Sequence, residues 1–165
     1  MEDIFSAVRD LVENNPEVKV IFPVHLNPKV REIVDQILSD IERVHLIEPL
    51  DYQPFANLMA RSYLVMTDSG GIQEEAPGLG KPVLVLRDTT ERPEAVEAGT
   101  VKLVGTNRNI IYKTASKLIK DVNAYQEMAN SVNPYGDGRA VGRIIRRLQY
   151  EFGFTTDVGG EYSLE

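Results

Sequence analysis

The residues best suited to chemistry lie in one stretch, Thr67-Asp68-Ser69-Gly70-Gly71-Ile72-Gln73-Glu74-Glu75. A short apolar run ends there, two glycines follow, and a helical pattern begins. Glycine lets a ligand approach the backbone closely, and the free amides of a first helical turn point outward as anion donors. Ser69 adds a hydroxyl donor or serves as the N-cap. Glu75 falls four residues past Gly71, one turn along the same face. A carboxylate there repels phosphate but accepts two hydrogen bonds from a vicinal diol. The segment therefore suits a phosphate at the helix tip and a pentose one turn further down. An architectural reading stands equally open, in which Ser-Gly-Gly is a tight strand-to-helix turn and Glu75 is solvated.

Other candidates sit at comparable places. Arg87-Asp88-Thr89-Thr90-Glu91-Arg92-Pro93 follows an apolar strand. Arg92 there either meets a diphosphate or sugar, or pairs with Glu91 or Glu94 in a charged surface loop. His25, in Pro23-Val24-His25-Leu26-Asn27-Pro28, also belongs to a strand end, where a lone histidine more often caps than catalyses. His45 lies inside a strand and reads as structural. Asn133-Pro134-Tyr135-Gly136-Asp137-Gly138 is a turn cluster launching the last helix, and Arg139, Arg143, Arg146 and Arg147 on that helix read as a solvated or inter-domain face.

The elements that position these residues alternate. Ile4, Phe5, Val8, Leu11 and Val12 recur at helical steps; Val18 to Val24 reads as a buried strand. After Pro28, which suits a first helical position, Val30, Ile33, Val34, Ile37, Leu38 and Ile41 repeat the helical stripe. Strands are expected at Val44 to Ile47, Tyr63 to Thr67, Val83 to Leu86 and Val101 to Val104, with a helix carrying Phe55, Leu58 and Met59 between the first two. Two further stripes, Ile110, Ile111, Ala115, Leu118, Ile119, Val122 and Ala140, Val141, Ile144, Ile145, Leu148, close the chain. Short apolar strands separated by helices predict a parallel sheet covered on both faces, a doubly wound α/β domain with right-handed crossovers. In such a sheet the loops at the carboxyl ends of strands line the ligand crevice. The domain is expected over residues 1–152, with a polar tail over 153–165 whose Leu164-Glu165 has the look of a cloning remnant.

Composition narrows the classes. At 165 residues, the chain is long enough for one domain burying roughly 70% of its unfolded surface. It has no cysteine, which excludes disulfides and thiolate metal sites and agrees with a cytoplasmic location. Two histidines and no cluster at metal-ligand spacing leave no metal or organic cofactor required. No signal peptide or membrane-length apolar run is visible. The net charge of -7 argues against nucleic acid, so an anionic ligand must be held locally by backbone amides and a few arginines.

Five stretches together resemble one family: Pro23 to Pro28, Thr67 to Ala76, Gly80-Lys81-Pro82-Val83, Arg87 to Glu94, and Asn133 to Gly138. In order and spacing, from about Ile4 to Leu148, they are similar to non-hydrolysing UDP-N-acetylglucosamine 2-epimerases. The resemblance implies the C-terminal half of a two-domain glycosyltransferase-B-type fold with UDP-sugar in the cleft. It implies that Ser69, Gly70 and Gly71 bind the phosphates, Glu75 the ribose and Arg92 the nucleotide-sugar, with Phe55 near the uracil. Leu50 stands where some relatives carry a glutamine beside the base and can offer only backbone contacts. His25 matches a residue associated with a second, regulatory UDP-sugar site. The implied reaction interconverts UDP-N-acetylglucosamine and UDP-N-acetylmannosamine, by elimination of UDP to a glycal and its return to the opposite face, in service of cell-surface polysaccharide synthesis. The family's acid/base carboxylates and a His-Arg-Arg-Glu-like stretch belong upstream of these residues, as does the first, central strand. The implied partners are UDP or UDP-N-acetylglucosamine and either a second copy of the chain or an N-terminal half. A glycosyltransferase of the same architecture, a non-catalytic nucleotide-sugar-binding module and a gene product without a role are the alternatives.

Overall fold

The structure, a computed structural model, describes residues 1–161. Leu164 and Glu165 lie outside the described residues. In chain order the elements are α1 (Glu2–Glu13), β1 (Val20–Pro23), α2 (Pro28–Leu38), β2 (Val44–Ile47), α3 (Tyr52–Arg61), β3 (Val65–Thr67), α4 (Gly70–Gly78), β4 (Val83–Val85), α5 (Pro93–Glu97), β5 (Val101–Leu103), α6 (Arg108–Lys120), α7 (Val122–Ala129) and α8 (Ala140–Glu151).

All strand pairs are parallel, as alternating strands and helices require. The sheet comes in two pieces: β1 pairs with β2, and β3–β4–β5 form a separate three-stranded piece. β1 and β3 each keep one edge without a strand among the described residues. Within the larger piece β4 is central and fully buried. Its Leu84 faces a core with α1 and α6, whereas Val83 and Val85 face a core with α3, α4 and α5. That is the two-sided burial of a parallel strand.

Helix α1 holds the two pieces together. Phe5 and Val12 pack into the core of β1, β2 and α2, while Ala7 and Leu11 pack against Leu84, Ile111, Ala115 and Leu118. Ile4 touches both. Asp10 receives a bidentate Arg108 at 2.6 and 2.7 Å, fixing α1 on α6. Arg43 donates to the carbonyls of Val12, Asn15 and Val18, closing the loop between α1 and β1.

Three readings of the sequence need correction. Val122 does not extend the α6 stripe: Asp121 stops α6, accepts from the amides of Asn123 and Ala124, and starts α7, leaving Val122 63% exposed. Ile110 is likewise on the outer face, since Ile111, Ala115 and Leu118 are the buried positions. The stripe on α8 forms a helix but buries none of its residues. Beyond α8, residues 153–161 turn back along it, with Asp157 pairing with Arg146 at 2.6 Å.

Candidate functional site

Within each sheet piece the parallel strands end on one edge, and the loops that carry the candidate residues leave from those carboxyl ends. β3 ends at Thr67 and runs through Asp68-Ser69 into α4; β4 feeds the 86–92 loop; β2 feeds Leu50 and α3. Leu50 is an exposed loop residue. Phe55, on α3, is half-buried against the core of Met59, Ala76 and Val83. His25, beyond β1, is exposed, and its Nδ1 accepts from the amide of Asn27 at 3.1 Å, a capping arrangement at the start of α2. Arg31 forks onto Glu48 at 2.9 and 2.5 Å and ties α2 to the β2 loop, which holds the Glu48 carboxyl below its usual range.

The turn at α4 has a definite construction. Ser69 is the N-cap, but no side chain caps the helix. The first-turn amides of Gly70 and Gly71 thus have no acceptor within the helix. Neither glycine has a positive φ. A Cβ on Gly70 would meet nothing within 4 Å, and one on Gly71 only the Ser69 hydroxyl at 4.0 Å. The fold itself does not demand glycine at either position. What the missing side chains do is leave the amide face bare. Glu75 is exposed one turn along, with no competing cation paired to it among the described residues.

Arg92 is brought to the same place by α4. Its Nε is ion-paired with Glu74, and its Nη1 donates to the Glu91 carbonyl at 3.0 Å. The carboxylate partner is thus Glu74, not Glu91 or Glu94, and Glu74 raises the guanidinium pKa further. Thr90 accepts the Arg92 amide at 3.0 Å and donates to buried Gln73 at 2.6 Å. Gly105 holds the other end of this loop: its φ is +65°, its amide donates to the Arg87 carbonyl at 3.1 Å, and a Cβ would lie 2.8 Å from the Asp88 carboxylate.

Three contributors carry no role in the sequence reading: Gln73, Glu74 and Tyr135. The signal for Gln73 is a polar residue on the face shared with buried Ala76 and Pro77. Tyr135, from the Asn133–Gly138 turn, packs on the core of α4 and β4. Its hydroxyl is enclosed without an acceptor at hydrogen-bond geometry, and this burial, with the charge of Glu94, pushes its pKa up to about 12. The turn is launched into α8 by Asp137, which accepts from the amide of Arg139 and from Arg143.

A cavity of about 440 Å³ at the start of α1 is lined by Met1, Glu2, Asp3, Ile33 and Thr106. The carboxylates of Glu2 and Asp3 make it unsuited to a diphosphate.

Comparison with known proteins matches this arrangement. UDP-N-acetylglucosamine 2-epimerase of Bacillus subtilis (strain 168) is 54% identical over 154 residues, 93% of this chain and 40% of that protein. The S. aureus MnaA–UDP co-structure superposes with a TM-score of 0.91 at 48% identity, covering 98% of this chain and 44% of that one. The Neisseria meningitidis UDP-GlcNAc 2-epimerase bound to UDP-GlcNAc gives 0.84 at 51% identity, over 89% and 40%. The chain thus spans about two fifths of the length of these relatives. With the family model for UDP-N-acetylglucosamine 2-epimerase matching residues 1–149, the chain belongs to that family.

Proposed function

We infer that residues 1–152 are the nucleotide-gripping half of an enzyme interconverting UDP-N-acetylglucosamine and UDP-N-acetylmannosamine. The diphosphate sits on the amides following Ser69, at Gly70 and Gly71. Glu75 accepts from the ribose hydroxyls, Arg92 meets the nucleotide-sugar, and Phe55 and the Leu50 backbone border the uracil. The bare amide face carries this reading: two glycines that the backbone conformation does not need, at a helix start that no side chain caps. Support comes from relatives whose structures hold UDP or UDP-GlcNAc.

The reaction eliminates UDP to a glycal and returns it to the opposite face, which needs acid/base carboxylates near the sugar. This half supplies the grip and an N-terminal half supplies those groups. The open edges of β1 and β3 and the uncovered stripe of α8 support such a partner. His25 is assigned to a regulatory UDP-sugar contact, and the setting is cytoplasmic synthesis of cell-surface polysaccharide. Among the described residues no helix is long and apolar enough to cross a membrane.

Calorimetric titration tests the grip. The chain binds UDP saturably and uridine at least about tenfold more weakly, because the phosphate contacts contribute the difference. It converts UDP-N-acetylglucosamine no faster than buffer. Equal affinity for UDP and uridine, or turnover by the chain alone, overturns the assignment.

A further inference from the structure

We propose that Gln73 is a positioning residue that locks the Ser69–Gly71 turn to the Arg92 loop, so that the two parts of the diphosphate grip act as one unit. The proposal rests on the UDP reading above and deepens it.

Gln73 is 1% exposed, a primary amide on the inward face of α4 beside Ala76 and Pro77. Burying an amide is costly unless both ends are bonded. Both are. Its Nε2 donates to the Ser69 carbonyl at 3.2 Å, and its Oε1 accepts from the Thr90 hydroxyl at 2.6 Å. The orientation of the amide is fixed by its partners, since the Ser69 carbonyl can only accept. Thr90 then has its proton committed to Gln73 and uses its oxygen to accept the Arg92 amide at 3.0 Å. The four groups form one directional chain from Arg92 through Thr90 and Gln73 to Ser69.

The consequence at Ser69 is geometric. The peptide linking Ser69 to Gly70 is planar and trans, as no cis bond occurs among the described residues. Its carbonyl and its N–H therefore point in opposite directions. Gln73 holds the carbonyl inward with its side chain, and its own backbone amide adds a long bond at 3.4 Å. The Gly70 N–H is consequently aimed away from Gln73, at a residue where a Cβ would meet nothing within 4 Å. From the other side, the Ser69 amide is turned onto the Thr67 hydroxyl at 3.0 Å. One buried side chain thus aims a phosphate donor and fastens the segment that carries the cation, while Glu74, the next residue, pairs with Arg92 directly.

The test is a double-variant comparison on the whole chain. Thr90→Val keeps the shape of the side chain and removes its link to Gln73. It is expected to weaken UDP binding about tenfold and uridine binding less than about twofold. Arg92→Ala is expected to cost markedly less affinity for UDP in the Thr90→Val background than in the unaltered chain, because coupled residues are non-additive. Gln73→Met should reproduce the Thr90→Val result. Additive losses, or an equal loss for uridine, overturn the coupling. Should the unaltered chain fail to bind UDP, hydrogen exchange decides independently: Thr90→Val should speed exchange of the amides over 69–72 as well as over 90–92. Unchanged exchange at 69–72 overturns the proposal.

Discussion

At the residue scale, Gly70 and Gly71 separate folding from binding. Neither backbone conformation needs glycine, and a Cβ on Gly70 meets only open space. Gly70→Ala is therefore expected to leave the melting temperature unchanged or slightly higher, since alanine is the better helix former by up to about 1 kcal/mol. UDP affinity should fall about tenfold or more, as a methyl group crowds the donors. Thermal melting and calorimetry on one preparation check both halves; loss of both together would mean that the glycines serve the fold. Ser69, Gly70, Gly71 and Glu75 were legible as a possible anion-and-diol site because strand, glycine pair and helix start are contiguous in sequence. The Arg92–Glu74 pair was not, because 18 residues separate them and only the parallel packing of β3 and β4 brings their loops together. Gln73 stood in plain view inside the same motif, yet its partner Thr90 could be identified only in three dimensions.

At the scale of elements, apolar runs and helical stripes located the five strands to within two residues at each end. α7 was missed because Val122 continues the α6 spacing; only the capping preference of Asp121 marks the break. α5 is too short, at five residues, for a period to show. The Asn133–Gly138 turn reads in sequence as a connector, but in the fold it delivers Tyr135 against the core beneath Arg92 and Glu94. That burial yields a pH prediction. The folded pKa of Tyr135, about 12, lies above its ordinary value of 10.0, so the fold favours the neutral phenol. Its contribution is intact below pH 10 and is lost as pH rises from there toward 12. Alkaline denaturation should thus be less steep across that window in Tyr135→Phe than in the unaltered chain. Identical profiles would show that the hydroxyl titrates freely.

At the scale of the whole molecule, alternating elements announced the doubly wound parallel plan. The sheet comes in two pieces that α1 joins by packing into both cores, while β1 and β3 each keep an edge without a strand among the described residues. What sequence could not give is which apolar stripes remain uncovered. On α8, Val141 is 69% and Ile144 58% exposed, although the spacing is that of a buried face. If an N-terminal half covers α8, Ile144→Glu should leave the melting temperature of the isolated chain nearly unchanged, as exposed substitutions do. It should also abolish co-purification with an N-terminal half supplied as a separate chain. Undiminished association of the variant would remove α8 from the contact; self-association detected by sedimentation, and lost in Ile144→Glu, would assign the stripe to a second copy.

The bare amides at the start of α4 are the claim on which the functional reading turns, and amide-resolved NMR during a UDP titration addresses them directly. The signals of Gly70, Gly71 and Ile72 should move together and saturate, while UDP leaves the outer face of α8 undisturbed. Saturable binding that shifts other amides and leaves those three in place would contradict the account.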